Sequence, residues 1–246
     1  MTSETIKVLN ERVSVRSFTD APLSDDTVDE ILRAAFRAPT SSNIQSYSVI
    51  VVRDQATKEK IATIAGGQKH VVQCPVFLAF CADLTRIEYA LKKNGHDLDN
   101  NNLEMGLVSS VDAALVGMSA YLAADSLGVK GVMIGAVRND ALATAQALGL
   151  PHRVYCVFGL CLGFAESVPG QKPRMHYDAV VHREQYNSNK TVQRVTDYDE
   201  VLAAHYRSQA KVTADDSWTH EVATKFSVRP REVLREALRQ RGFDFS

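Results

Sequence analysis

Hydrophobic residues recur along this chain in helix-length and strand-length stretches that polar turns separate. Apolar positions spaced by threes and fours predict a helix over 24–37, with Ser24 as its N-cap. The run over 75–82 is apolar throughout, which is typical of a central strand covered on both faces. Similar patterns predict an opening helix with Thr2 or Ser3 as its N-cap, strands over 46–53, 132–134 and 154–164, and helices over 55–65, 83–93, 103–128 and 140–148.

Strands that alternate with helices predict an α+β fold, a layered mixed sheet with helices on both faces. The helix over 103–128 is rich in Gly, Ala and Ser, so another element can approach it closely. From residue 191 the chain becomes polar, and three helices are predicted over 198–209, 216–226 and 230–241. We therefore expect a domain over 1–190 and a helical C-terminal extension over 191–246 that packs on the domain or on a partner subunit.

The composition narrows the possible functions. The chain has 246 residues, of which 45% are hydrophobic, and this excludes disorder for most of its length. It carries 28 basic and 29 acidic residues, so we expect no nucleic-acid partner and no anionic membrane partner.

The apolar stretch over 108–129 contains Asp112 and Asp125, which argues against a membrane span. Four cysteines in apolar runs, without a CxxC pair, predict buried free thiols and a cytoplasmic location.

The sequence contains none of several standard catalytic signatures. We find no phosphate-binding P-loop, no nucleophile elbow, no HExxH motif and no Rossmann fingerprint. No combination of Ser, Cys, His and Asp suggests a catalytic set, and the histidines show no metal-ligand spacing, so His70 is interpreted as structural or exposed. Chemistry without a protein nucleophile or base points to a bound cofactor.

Four polar clusters at the ends of elements are candidates for holding such a cofactor. Alternation places Arg12, Ser14 and Arg16 on one side of an extended segment, where two guanidinium groups and a hydroxyl suit a phosphate or an electron-rich ring edge. The Lys172-Pro173-Arg174 segment is a second candidate anion site. The segments 40–45 and 66–70 are polar as well. Each cluster alone is more commonly an exposed loop, a turn or a helix cap.

Read together and in order, the clusters resemble the FMN-dependent nitroreductase superfamily. Its closest branch is the NADPH-dependent, oxygen-insensitive nitroreductase and flavin reductase group. The similarity runs from about residue 5 to beyond residue 240. The motifs that carry it include Arg12-x-Ser14-x-Arg16-x-Phe18, Ser41-Ser42-Asn43-x-Gln45, Gly66-Gly67-Gln68, Ile134-Gly135-x-x-Arg138-Asn139 and Lys172-Pro173-Arg174.

The resemblance implies a three-layer α/β/α sandwich with a mixed central sheet, assembled as an intertwined homodimer with FMN at the subunit interface. The helix over 103–128 would form the dimer core. The implied cofactor-binding residues are Arg12, Val13, Ser14, Arg16, Ser41, Ser42, Asn43, Gln45, Gln68, Ile134, Gly135, Ala136, Lys172 and Arg174. Among these, the residues at 41–43 would come from the partner subunit.

The resemblance also implies which part of FMN each of these residues contacts. Arg12, Lys172 and Arg174 would meet the phosphate, and Arg16 would reach the N1/O2 side of the ring, where a cation makes reduction easier. The backbone near Gly135 would face N5. By a ping-pong mechanism, NADPH or NADH would pass a hydride to N5, and a nitroaromatic, a quinone or a free flavin would then be reduced.

Three departures from the family pattern affect these expectations. The first motif has Arg12-Val13-Ser14 where the family often has His-Arg-Ser, and Ala136 replaces a frequent glycine. In the tail, Arg207 and Lys211 are the expected NAD(P)H-binding residues, but Asp215 and Asp216 stand where arginines are usual. Because carboxylates repel a phosphate, the hypothesis is a weakened preference for NADPH, in favour of NADH.

Two alternative functions remain open from the sequence. The first is an FMN reductase that supplies free reduced flavin to a partner. The second, of another class, is a flavin-binding or sensing protein with little turnover.

Overall fold

This computed structural model describes residues 3–99, 103–210, 217–228 and 231–245. The chain forms two compact units: Met1–Pro169 with Arg231–Ser246, and Gly170–Pro230. These units do not follow the boundary expected at residue 190, which stays a prediction.

The first unit is built on a four-stranded sheet whose strands are β1 (Tyr47–Val52), β2 (Val76–Asp83), β3 (Lys130–Ile134) and β4 (Val154–Gly163). Their order is β1-β2-β4-β3, and every neighbouring pair is antiparallel. The expectation of a mixed sheet is therefore corrected for the described residues. The apolar runs identified the strands but not their directions, because a helical connection can return a chain antiparallel as well as parallel.

Helices cover both faces of this sheet. The helices of the first unit are α1 (Glu4–Glu11), α2 (Asp25–Ala35), α3 (Gln55–Ile64), α4 (Lys69–Gln73), α5 (Thr85–Lys93), α6 (Leu103–Ser126) and α7 (Ala141–Ala147), and α10 (Leu234–Gln240) returns from the C-terminal part of the chain. The second unit contains α8 (Thr191–Ser208) and α9 (Trp218–Phe226). Ser3, Ser24 and Asp54 accept hydrogen bonds from the first-turn amides of α1, α2 and α3, as their N-caps.

Alternating side chains of β2 divide the core into two layers. Phe77 and Cys81 pack with residues of α3, α4 and α7, whereas Leu78 and Phe80 pack with residues of α2 and α6. All residues of β2 are buried, which confirms the predicted central strand. The three-layer α+β architecture is confirmed by this arrangement.

The long helix α6 has one face inside the protein and one outside. Several of its small residues face the inside of the same chain: a Cβ on Gly117 would lie 2.4 Å from the Phe158 ring. At Gly117, the close approach expected from these small residues therefore occurs within the chain. The outer face instead exposes large apolar side chains, which we call the α6 stripe: Leu103, Leu107, Val111, Leu115 and Met118.

Within the described residues, α6 is the one helix whose length and apolar composition would allow it to cross a membrane. Its inner face carries the buried carboxyl groups of Asp112 and Asp125 and packs on β2 and α2. Core helices of soluble proteins have the same character.

Some predicted helix bounds changed. The helix expected over 198–209 begins earlier, since α8 starts at Thr191, and the short α4 was not predicted because five residues carry little periodic signal. The expected start of the next helix at 216, and the start at 230, lie outside the described residues. α10 packs through Leu238, whose neighbour Phe243 lies edge-on to Tyr155 at 4.7 Å between ring centroids.

Candidate functional site

The segment 12–16 follows α1 and lies beside β3. The Val15 amide donates to the Gly131 carbonyl oxygen at 3.0 Å, and Val15 is fully buried, whereas Arg16 is exposed. Residues 15 and 16 follow the predicted alternation, whereas Arg12, Val13 and Ser14 are all half-buried. Arg16 makes no ion pair with any carboxylate in the described part of the chain, so its charge is available to a ligand.

Tyr121 of α6 fixes the beginning of this segment. Its hydroxyl lies 2.7 Å from the Val13 carbonyl oxygen and 2.8 Å from the Gly131 carbonyl oxygen, and it accepts a hydrogen bond from Arg12 at 3.3 Å. The Arg12 guanidinium also lies over the Tyr121 ring, 5.2 Å from its centroid. Burial raises the pKa of Tyr121, so the phenol stays protonated and available as a donor at neutral pH.

The glycines at 66 and 67 end α3 in left-handed conformations, with φ of 80° and 76°. Gln68 follows as the N-cap residue of α4 and donates from its side-chain amide to the Ala65 carbonyl oxygen at 3.0 Å. His70, two residues later, has a buried Nε2 atom without a hydrogen-bond partner among the described residues. Burial, and then the positive charge of Arg16, lower the pKa of His70, so its ring is neutral at pH 7.

The third segment is the end of β3. Ile134 is buried, and a 3-10 turn over Gly135–Asp140 follows it. The Gly135 backbone has no positive φ, and a Cβ there would lie 3.5 Å from Arg138 Nη2, an ordinary contact. Packing within this chain therefore does not require a glycine at position 135, which leaves close approach of a ligand as a reason for it.

These three segments meet on one face of the sheet. A single hydrophobic cluster contains residues of each of them, namely Val13, Val15, Ala65, Val71, Ile134 and Ala136. Lys58 of α3 supports this face, since its buried ammonium group donates to the Cys74 carbonyl oxygen at 2.8 Å. The structure thus places the segments that contain Arg12–Arg16, Gln68 and Ile134–Ala136 on one face of the sheet. Their role in holding a cofactor stays a prediction.

The fourth segment, the loop over 41–46, is held on the opposite side of the sheet. Its neighbours Ala38 and Tyr47 belong to the cluster formed with α2 and α6. The side chains of Ser41, Ser42 and Asn43 are exposed, and Gln45 folds back to donate to the Asn43 backbone oxygen at 3.2 Å. No hydrogen bond in the described part of the chain joins this loop to the other three segments. Within one chain these residues are therefore separate from the rest of the candidate site.

An ion pair anchors the end of this loop. Arg86 donates to the Gln45 carbonyl oxygen at 2.9 Å and to Asp83 Oδ2 at 3.1 Å. Burial by itself raises the pKa of Asp83. Hydrogen bonds from Ser48 and Thr85 and the Arg86 charge outweigh it, and the resulting pKa lies below the usual value. Asp83 is therefore ionised at neutral pH.

The remaining predicted residues belong to the second unit. Lys172 donates to the Tyr206 hydroxyl at 2.5 Å, and Tyr206 in turn donates to Glu221 at 2.6 Å. Arg174 is exposed and donates to the Lys172 carbonyl oxygen at 3.2 Å. Arg207 is exposed in the last turn of α8. Lys211, Asp215 and Asp216 lie outside the described residues.

Comparison with family models gives the same assignment as the motifs. The model described as "Nitroreductase family" matches residues 9–164, and the model described as "Nitroreductase family, C-terminal domain" matches residues 172–246. The chain belongs to the nitroreductase family. The resemblance drawn from the sequence is thereby confirmed.

Flavin reductases and a nitroreductase of several bacteria are similar over nearly the whole chain. An FMN reductase [NAD(P)H] of Bacillus subtilis is 36% identical, with 98% of each chain covered. An oxygen-insensitive NADPH nitroreductase of Salmonella typhimurium is also 36% identical over 98% of each chain. The solved structure of an NADPH:FMN oxidoreductase from Vibrio harveyi, complexed with NAD⁺, has a TM-score of 0.89 at 31% identity and covers 98% of this chain and 99% of that one.

Sequence reasoning gave no role to the residues that hold the predicted site segments in place by hydrogen bonds. Asp112, Tyr121 and Arg86 touch predicted site segments, yet they are distant from them in the sequence. Asp112 did carry a signal, because a carboxyl group in an otherwise apolar helix is costly to bury without partners. His70 was interpreted as structural or exposed. Its ring is half-buried, and its Nε2 atom has no hydrogen-bond partner among the described residues.

Proposed function

We propose that this protein is an NAD(P)H-dependent FMN oxidoreductase of the nitroreductase and flavin reductase type, with FMN as cofactor. The observation that carries the proposal is the meeting of three predicted segments on one face of the sheet, with a guanidinium group at Arg16 that no carboxylate neutralises in the described residues. The names of its relatives support the activity, since they are FMN reductases and an NADPH nitroreductase.

The residues present fit FMN. Arg12 and Ser14 supply donors for a phosphate, and Arg16 adds a permanent positive charge for an electron-rich ring edge. The buried Nε2 of His70, beside Arg16, is a polar atom that the described chain leaves without a partner. Gly135 leaves open the space that a Cβ would fill. When bound, FMN supplies the hydride chemistry at its N5 atom.

The chain's own residues would bind and orient FMN and stabilise charge on it, and no side chain would act as an acid or a base. Arg16 would place its positive charge near the pyrimidine side of FMN, where a cation favours reduction. Gln68 is held by its bond to Ala65 and would present its amide to the same edge. Lys172 and Arg174 are proposed phosphate ligands, a role carried over from the family motif.

We include a homodimer in the proposal. The α6 stripe is exposed in a single chain, and α1 beside it exposes Ile6 and Leu9 and buries none of its residues. Contiguous exposed apolar side chains of this size mark an interface. Because the loop over 41–46 is separated from the other segments within one chain, a partner subunit's loop would complete each site. The proposed electron acceptors are small molecules, namely nitroaromatics, quinones or flavins, and the proposed location is the cytoplasm.

Free FMN as the best acceptor is the second candidate function. It is favoured by the two Bacillus subtilis relatives named FMN reductase, at 36% and 34% identity. A comparison of kcat/KM for free FMN and for a nitroaromatic separates it from the nitroreductase function.

The first experiment is an absorbance spectrum of the purified protein, followed by anaerobic titration with NADH and with NADPH. We expect bound-flavin bands that either nucleotide bleaches, and a kcat/KM for NADH at least comparable to that for NADPH. A strong preference for NADPH would contradict the hypothesis drawn from Asp215 and Asp216. Bands that neither nucleotide bleaches would favour the flavin-sensing alternative. A colourless protein that takes up no added FMN would overturn the proposed function.

A matched pair of variants locates the cofactor. Arg16→Gln removes the unneutralised charge, and we expect the Kd for FMN to rise at least tenfold. Arg33→Gln removes an exposed charge on α2, where Arg33 pairs with Asp29 at 3.6 Å, and should leave the Kd unchanged. Equal affinities in the two variants would remove Arg16 from the site.

A further inference from the structure

Asp112 lies in the middle of α6, on its inner face, with a relative exposure of 1%. Its Oδ1 atom accepts a hydrogen bond from the Ser41 amide at 3.0 Å. Its Oδ2 atom accepts from the Ser46 amide at 3.2 Å and from the Ser46 hydroxyl at 2.9 Å. One buried carboxyl group therefore binds both ends of the loop over 41–46.

The loop needs such support because its backbone is unfavourable on its own. Ser42, Asn43 and Gln45 have φ values of 47°, 57° and 54°, in the left-handed region where residues with a Cβ are disfavoured. Three left-handed residues within the four positions 42–45 keep this conformation only where the surrounding structure fixes them. Between its two anchored ends, the loop turns the side chains of Ser41, Ser42 and Asn43 outward.

We propose that Asp112 is a positioning residue for the cofactor site: it holds the loop over 41–46 in the conformation that presents Ser41, Ser42 and Asn43 to FMN. Asp112 does not touch the ligand in this assignment and acts through the backbone of the loop. The role rests on the proposed function, since it takes FMN as the ligand.

Part of the inference stands without any ligand. If Asp112 fixes the loop, weakening its bonds lowers the fraction of molecules in the competent conformation. The apparent Kd rises in inverse proportion to that fraction, so a loop that is competent one-tenth of the time gives about a tenfold weaker Kd. Loop opening can be measured in the apoprotein, and affinity in the holoprotein.

The test compares three variants. Asp112→Asn keeps the shape but turns an amide N–H group toward backbone donors; Ser46→Ala removes the side-chain bond alone. Asp125→Asn is the matched control, because Asp125 is also a buried carboxylate on α6 but pairs with Lys130, away from the loop. Hydrogen exchange of the 41–46 amides in the apoprotein, and FMN titration by fluorescence quenching, are measured on each.

We expect amide exchange in the loop to accelerate at least tenfold in Asp112→Asn, and the Kd for FMN to rise by a similar factor. Ser46→Ala should show a smaller change of the same sign in both measurements. Asp125→Asn should match the unsubstituted protein in both. Should Asp112→Asn fail to fold, the paired changes in Ser46→Ala carry the test.

Two results overturn the inference. Loop exchange that stays unchanged in Asp112→Asn shows that the carboxyl group does not fix the loop. Loop exchange that accelerates without any change in Kd shows that the loop conformation does not matter to the ligand. If the unsubstituted protein binds no FMN, the proposed function fails, and the exchange data still report whether Asp112 fixes the loop.

Discussion

Gly135 illustrates how a single residue distinguishes packing from ligand binding. Other glycines in this chain are required by the protein itself: a Cβ on Gly159 would lie 2.0 Å from the Phe77 ring. At Gly135 the nearest atom would be at 3.5 Å. An added methyl at Gly135 should therefore weaken FMN binding with little effect on stability, whereas one at Gly159 should lower stability.

We expect Gly135→Ala to change the free energy of unfolding by less than about 1 kcal/mol, because the added methyl meets no clash and alanine suits a helical turn. The Kd for FMN should rise at least tenfold, since the methyl occupies the space proposed for the ring. Urea unfolding and FMN titration check the two parts.

Gly159→Ala is the comparison variant. Its methyl clashes with a buried phenylalanine, so the free energy of unfolding should fall by about 1–3 kcal/mol. If Gly135→Ala binds FMN as tightly as the unsubstituted protein, the ring does not lie against residue 135.

Helix α6 and the loop over 41–46 show what sequence reasoning reaches at the scale of elements. The apolar patterns predicted the four strands and most helices, because burial of β2 or α2 imposes a regular period on the sequence. Strand direction was not predicted, since the period is the same in both directions. The bonds from Asp112 and Tyr121 to distant segments were not predicted either, because pairing across the fold leaves no local pattern.

The Asp83–Arg86 pair should make the loop and its strand sensitive to acid. The pKa of Asp83 is lowered from 3.8 in the folded protein, so its contribution to stability is complete above that value. The contribution is lost as the pH falls through 3.8 and on toward the folded pKa.

We therefore expect Asp83→Asn to lower the free energy of unfolding at pH 7 by about 1–3 kcal/mol, since donors at Ser48, Thr85 and Arg86 lose a charged acceptor. The difference from the unsubstituted protein should shrink as the pH falls through 3.8 and on toward the folded pKa of Asp83. Thermal unfolding across that range measures it. A difference that stays constant with pH would show that the carboxylate charge contributes nothing.

At the scale of the whole molecule, the exposed α6 stripe is the main feature that one chain leaves unexplained. The family resemblance implied α6 as the dimer-core helix, and this stays a prediction; several small residues of α6, Gly117 among them, face the inside of the same chain. The exposed large side chains of the α6 stripe support a homodimer through this helix independently of the family resemblance.

We expect Leu107→Glu to convert the protein from a species of twice 27.1 kDa to a monomer, because it places a charge within the apolar stripe. Leu107 is 51% exposed in the single chain, so the fold should persist. Sedimentation velocity and the far-UV spectrum check both parts. Tyr89→Glu on α5, where Tyr89 is 69% exposed, is the control and should leave the mass unchanged. A monomeric unsubstituted protein would contradict the proposed homodimer.

The four cysteines have a practical consequence. Cys74, Cys81 and Cys161 are fully buried and Cys156 is 3% exposed, in or beside the two central strands β2 and β4. A thiol reagent in solution cannot reach them until the layer of α3, α4 and α7 that covers them opens. The rate at which the native protein reacts with such a reagent therefore measures how often the core around these cysteines opens. Any ligand or partner that stabilises the fold should make alkylation slower.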